Sequence, residues 1–234
     1  MAPIFLHGGG GQPASFRPFI AAAQGGRIAL VIENGALPDL PAYRDLLLQV
    51  GADERVLVDI VVSPDYPLRP EHLPEDASAL FVCGGHTPSV HAALCFDLDW
   101  LAAFKAHDLI YSGTSAGAAI AAEEAIVGGW RVERDERVRE MIFKGAGEGV
   151  DLLEVRDGLG LVPFTIDVHA GQQGTLIRLI HMIDLGLATT GWALDENTLL
   201  RVEGDRHTVT GSGHAYYVWS KAGGVEVAVL EPVA

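Results

Sequence analysis

An α/β fold, with a mostly parallel sheet, helices on both faces and an antiparallel C-terminal extension, is predicted for this 234-residue chain by three observations. Strand-like apolar runs alternate with helical stretches through the first half. A glycine-flanked strand, turn and helix start spans Tyr111 to Ile120. From Leu187 onward the pattern changes to short strands separated by turns.

Taken in order, Met1-Ala2-Pro3-Ile4-Phe5-Leu6 reads as a first strand rather than a signal peptide, because no basic region precedes its short apolar run. Gly8-Gly9-Gly10-Gly11 follows without a Gly-Lys-Ser or Gly-Lys-Thr, so it is read as a tight strand-to-loop exit near a cleft and not as a phosphate loop. Ile28 to Ile32 is continuously apolar, as a parallel strand covered on both faces must be. Tyr43 to Val50 reads as helix, Val56 to Val62 as strand, and Leu80 to Cys83 as a strand ending in Gly84-Gly85-His86-Thr87-Pro88. That last segment is a glycine turn into a helix, with Thr87 as N-cap and Pro88 at the first helical position. Val90 to Lys105 is expected to be helical and Leu109 to Tyr111 a strand. The charged run Arg131 to Glu140 reads as a solvated helix face, with a lid presenting Arg131 or Arg134 to a substrate carboxylate as the functional alternative. Later strands are expected at Leu199 to Val202 and Ala215 to Trp219, with turns at Glu203-Gly204-Asp205 and Gly211-Ser212-Gly213.

Composition bounds the function. With 49% hydrophobic and 20% charged residues the chain suits a single catalytic domain over residues 1–234. A net charge of −15 opposes nucleic acid and anionic membrane and favours a small neutral or cationic substrate. No run approaches the ~20 apolar residues of a membrane span. Cys83 and Cys95 sit in apolar contexts and are expected to be buried, reduced thiols of a cytoplasmic protein. The nine histidines form no ligand-spaced cluster, so neither metal nor cofactor is expected.

Gly113-Thr114-Ser115-Ala116-Gly117 carries the chemistry. Gly-x-Ser-x-Gly after a strand and before a helix is a nucleophile elbow, whose glycines permit the close approach and whose serine stands above the sheet edge. The Ala116 N–H, paired with an amide from Gly85 or His86, would form an oxyanion hole. Serine needs a base and a group that fixes the base's tautomer. His169, at the end of the run from Gly158, supplies the first; Asp195 or Glu196, interrupting the run from Gly191 to Leu200, supplies the second.

The chain resembles the serine peptidases of the cyanophycinase and dipeptidase E family, through Leu6-His7-Gly8-Gly9-Gly10, Gly84-Gly85, the elbow with Glu123 to Gly129, the Gly158 to His169 stretch and Leu194 to Thr198. The resemblance implies a class I glutamine amidotransferase-like fold, Ser115 as nucleophile, His169 as base and then acid, Glu196 as the acidic partner with Asp195 as fallback, and no cofactor. His86, Thr114, Asp167, Arg178 and Arg131 are the candidate substrate contacts, a small peptide is the expected partner, and a homodimer is left open. Val168, Ala170, Gln173 and Thr175 depart from the cyanophycinase pattern and leave Arg178 as the surviving arginine. An amidotransferase-like acyl-transfer enzyme and a catalytically silent binding module are the alternatives of other classes.

Overall fold

The computed structural model describes residues 2–24 and 26–233, so Met1 of the expected first strand lies outside the described residues. The strands are β1 (Ile4–His7), β2 (Arg27–Glu33), β3 (Leu57–Val62), β4 (Ala77–Val82), β5 (Ile110–Thr114), β6 (Glu124–Gly128), β7 (Arg131–Arg134), β8 (Arg137–Glu140), β9 (Glu154–Asp157), β10 (Thr165–Val168), β11 (Thr190–Leu194), β12 (Thr198–Glu203), β13 (Arg206–Gly211), β14 (Ala215–Lys221) and β15 (Gly224–Leu230). The helices are α1 (Arg17–Ala23), α2 (Leu40–Gln49), α3 (Thr87–Leu94), α4 (Asp99–Ala106), α5 (Ala116–Ala119), α6 (Ala170–Gln173) and α7 (Leu176–Asp184).

A seven-stranded sheet runs in the order β13-β12-β1-β5-β4-β2-β3. Its five strands from β1 to β3 are mutually parallel, while β12 pairs antiparallel with β1 and β13 with β12. Alternation along each strand divides the core between the two faces. Phe5, Ile28, Leu30, Ile32 and Phe81 pack with Phe16, Phe19 and Leu47 on the α1 and α2 side. Leu6, Ala29, Val31, Leu80 and Val82 pack with Val90, Leu94, Trp100 and Phe104 from α3 and α4 on the other. The fold class is therefore the one predicted.

The C-terminal strands behave differently from a single extension. β12 and β13 widen the main sheet, whereas β14 and β15 join β10 and β11 in a second sheet of order β10-β11-β14-β15, within which β10 and β11 are parallel. Leu179, Met182 and Ile183 of α7 cover one face of it, and Trp192 and Leu194 on the other face join the larger core.

Three expectations are corrected. α3 starts at Thr87 with His86 as its N-cap, so Thr87 is the first helical residue and Pro88 the second. Arg131 to Glu140 is not a helix but the hairpin β7–β8, with Arg134 opposite Arg137 and a two-residue turn at Asp135 and Glu136. Both turn residues take left-handed backbone, at φ 52° and 60°, the conformation whose twist suits a two-residue hairpin. The helix expected over Val90 to Lys105 is two helices, α3 and α4, separated at Cys95 to Leu98. There the half-buried Asp97 side chain accepts the Asp99 amide N–H at 3.1 Å and starts the second helix.

Candidate active site

Ser115 sits between the end of β5 and the start of α5 with φ 51° and ψ −118°, a sparsely populated conformation costing on the order of 1–3 kcal/mol that surrounding bonds must hold. Its N–H donates to the His7 carbonyl at 3.0 Å, and its own carbonyl accepts from Ala118 and Ala119 at 2.9 and 3.0 Å. The two flanking glycines have no room for a side chain. A Cβ on Gly113 would stand 2.3 Å from the Gly117 carbonyl oxygen, and one on Gly117 would stand 2.4 Å from that of Val82. The Tyr111 hydroxyl, donating to the Gly117 carbonyl at 2.7 Å, locks the same crossing from below.

His169 follows the last residue of β10 and takes left-handed backbone, φ 56° and ψ 37°. Its Nε2 lies 2.8 Å from the Ser115 Oγ, and its Nδ1 lies 2.9 Å from Glu196 Oε1. With Nδ1–H donated to the carboxylate, Nε2 is left as the acceptor of the serine proton. The sequence-derived trio is thus brought into one hydrogen-bonded chain. The imidazole side chain is 19% exposed and the Glu196 side chain 34%, so a ligand can reach both.

Asp195, one residue earlier, is spent elsewhere. Buried at 5% exposure, it accepts the N–H groups of Gly171 and His214 at 2.8 and 2.9 Å and so anchors the start of α6 to the turn before β14. Glu196 is held by a bond from its own N–H to Gln172 Oε1 at 2.9 Å.

The glycine loop after β1 has a larger part than its sequence suggested. Gly8 accepts the His169 N–H at 3.0 Å, and Gly9 accepts that of Asn197 at 2.8 Å. Gly9, at φ +104°, lies flat against the imidazole, where a Cβ would be 2.2 Å from the ring's Cε1. A Cβ on Gly10 would be 2.3 Å from Asn197 Oδ1, the oxygen that accepts the Gln12 N–H at 2.9 Å. The loop is therefore a cradle for the two segments that carry His169 and Glu196. No local pattern could have disclosed this, since the partners lie more than a hundred residues downstream in the chain.

On the opposite side of Ser115 runs the turn Gly84-Gly85-His86. A Cβ on Gly84 would meet the Ser115 Cβ at 3.1 Å, which puts the turn directly beside the serine. The Gly84 N–H is taken by the Tyr43 hydroxyl at 3.1 Å. Gly85 N–H, the next in the turn, has no hydrogen-bond acceptor among the described residues, and Ala116, as the first residue of α5, has none within its helix. His86 is exposed and bonded twice, through Nε2 to the Glu148 carbonyl at 3.0 Å and through Nδ1 to Ser89 Oγ at 2.9 Å. Burial drives the Tyr43 hydroxyl up to about 12 and keeps it protonated.

Three candidate substrate contacts are buried in the fold. Thr114 is 2% exposed within β5. Asp167 and Arg178, 1% and 5% exposed, face one another through paired bonds of 2.7 and 2.9 Å, and the guanidinium also donates to the Ala146 carbonyl at 3.0 Å. Burial alone would lower the arginine's pKa, but the Asp167 carboxylate overrides it and raises it. Arg131 lies over the Trp130 ring at 3.8 Å and pairs with Asp151 at 3.4 Å. Thr175 is likewise buried and donates its hydroxyl to the Val168 carbonyl. Among the described residues no group of three or more His, Cys, Asp or Glu side chains is arranged to hold a metal, and no helix is long and apolar enough to cross a membrane.

No family model matches the chain, and no curated protein matches it. Solved structures do. A peptidase from an acI-B1 Actinobacterium superposes with a TM-score of 0.66 at 15% identity, covering 100% of this chain and 96% of its own. A candidate peptidase E protein from Listeria monocytogenes EGD-e superposes with a TM-score of 0.55 at 15% identity, covering 90% of this chain and 98% of its own. The chain has the fold of these two proteins.

Proposed function

We propose that the protein is a serine peptidase that hydrolyses a peptide or isopeptide bond in a small peptide through an acyl-enzyme. The observation that carries this reading is the unbroken bond chain from Ser115 Oγ through His169 to Glu196, with links of 2.8 and 2.9 Å. Stability alone has no need of it, because it is held by two residues at positive φ, Ser115 and His169, and by a glycine loop with no space for side chains.

In the reaction, Ser115 Oγ attacks the scissile carbonyl carbon as its proton passes to His169 Nε2. The carbonyl electrons move onto oxygen, where the Ala116 and Gly85 amides donate to the developing charge. His169 returns the proton to the departing amine, which leaves the acyl group on Ser115. Water then repeats the attack, with His169 again as base, and releases the acid. Glu196 holds the imidazolium in place through both halves and stays ionised. The names of the two structural neighbours are in keeping with this activity, and the free thiols Cys83 and Cys95, kept protonated by burial, suit a reducing cytoplasm.

The test is a fluorophosphonate probe, expected to label Ser115 in the parent and not in Ser115→Ala, together with turnover of a short-peptide panel that the same substitution abolishes. Undiminished turnover in Ser115→Ala would overturn the assignment.

A further inference from the structure

We infer that the active site takes a peptide carrying a basic side chain, seated in a groove whose charged group is Asp39; this rests on the serine-peptidase reading of the site. The groove, of about 330 Å³, lies between the glycine loop and α2, with Gly10, Ala42, Tyr43 and Leu46 as walls and Asp39 and Gln49 as polar ends. It adjoins the reacting atoms at two points. Gly10 directly follows the glycine that lies on the His169 ring, and Tyr43 bonds the amide of Gly84, which stands against Ser115. A peptide lying across Ser115 therefore has this groove beside it.

The groove contains a carboxylate and no cation. Asp39 is exposed, and among the described residues its side chain has no hydrogen bond or ion pair. The basic residue of α2, Arg44, is turned away to Asp59 at 2.6 Å and Glu54 at 3.7 Å. Arg178, Arg131 and Arg201 are also engaged: Arg178 with Asp167, Arg131 with Asp151 and the Trp130 ring, and Arg201 with Glu203. An acidic side chain entering the groove would meet Asp39 with no counter-ion, while the protein's net charge of −15 adds to the repulsion. A lysine or arginine side chain matches the groove along its length. Its methylene stem lies on Ala42, Leu46 and the Tyr43 ring, and its head reaches the carboxylate. The protonated Tyr43 hydroxyl, which accepts from Gly84, keeps its own hydrogen for an acceptor on the peptide.

The test measures protection of Ser115 from fluorophosphonate labelling, which reads occupancy on either side of the scissile bond without needing turnover. Alanine tetrapeptides are compared that carry one lysine, leucine or glutamate at each position in turn. At the best position, lysine is expected to halve the labelling rate at roughly fivefold lower concentration than leucine, with glutamate weakest, the scale of one partly exposed ion pair. The lysine advantage is expected to vanish in Asp39→Asn, to pass to glutamate in Asp39→Lys, and to shrink as salt is raised. Equal protection by all three, preference for glutamate, or a lysine advantage that survives Asp39→Asn overturns the inference while the labelling itself upholds the nucleophile. Absence of labelling by the probe alone removes the peptidase reading and this inference with it.

Discussion

Adding one methyl group at Gly9 is expected to disable the site without unfolding the protein. A Cβ there would stand 2.2 Å from the His169 Cε1, whereas carbon contacts are comfortable at about 3.5–4.0 Å, so the ring or the loop must yield by more than about 1 Å. The loop resists, because Gly8 and Gly9 carbonyls hold His169 and Asn197, and a shift of Gly8 is blocked by the Asp195 carbonyl, 2.1 Å from where its own Cβ would be. The imidazole must move instead, away from Ser115 Oγ. A displacement of ~1 Å between reacting groups costs on the order of 10²-fold in rate. The φ of +104° adds a backbone cost of roughly 1–2 kcal/mol to stability. Gly51 separates the two effects, since it has the same φ of +104° and nothing within 4 Å of its Cβ position. Gly9→Ala and Gly51→Ala are compared by urea unfolding, by kcat/KM on a cleaved peptide and by the fluorophosphonate labelling rate of Ser115. Gly51→Ala should lose only the backbone cost, Gly9→Ala that cost and the cost of displacing the ring, and only Gly9→Ala should lose activity. A folded Gly9→Ala within about threefold of the parent's kcat/KM would refute the cradle argument.

Glu196→Gln is expected to lower turnover by up to ~10⁴-fold, as amidation of a triad acid does, whereas Asp195→Asn should act mainly on stability through its two buried amide bonds, by ~1–3 kcal/mol; kinetics and unfolding on both variants check the ranking, and the reverse order would move the acidic role to Asp195. Acid should destabilise the protein through His7, whose pKa burial lowers from 6.5 to about 3. Because the folded value is below the unfolded one, this contribution is fully present above pH ~6.5 and is lost as pH falls toward ~3, about 2 kcal/mol of it by pH 5. His7→Gln should flatten that part of the stability profile between pH 7.5 and 5, and an unchanged slope would assign the acid sensitivity to other groups.

What could be read from the residues, and what could not, follows the range of the interactions involved. The parallel strands were legible because both faces are covered, which forces unbroken apolar runs such as Ile28 to Ile32. The elbow was legible because its constraint is local, two glycines around one strained serine. The hairpin β7–β8 was misread because its alternating charges suit exposed helix and exposed strand equally, and its turn lacks the Asn-Gly or Asp-Gly that usually marks a two-residue connection. Nor could alternation show which sheet a C-terminal strand joins: β12 and β14 have similar apolar patterns, and their pairing with β1 and β11 is decided by packing. Arg178 could be seen as a cation in the sequence, but its commitment to Asp167 is a matter of tertiary burial.

The order in which the chain emerges during synthesis gives the glycine cradle a further consequence. Residues 8–10 are made before Ser115, and Glu196 is made some eighty residues after Ser115. The strand that carries the cradle, β1, lies between β5 and the late strand β12, and Gly8 donates its N–H to Thr198 at 3.0 Å. Until β12 arrives, one edge of β1 is unpaired and the imidazole lacks its carboxylate. A chain that has emerged past His169 but not past Glu196 therefore holds Ser115 and the imidazole without the carboxylate that fixes the ring. The bond chain from Ser115 through His169 to Glu196 closes only after the segment leading into β12 has seated on the glycine loop.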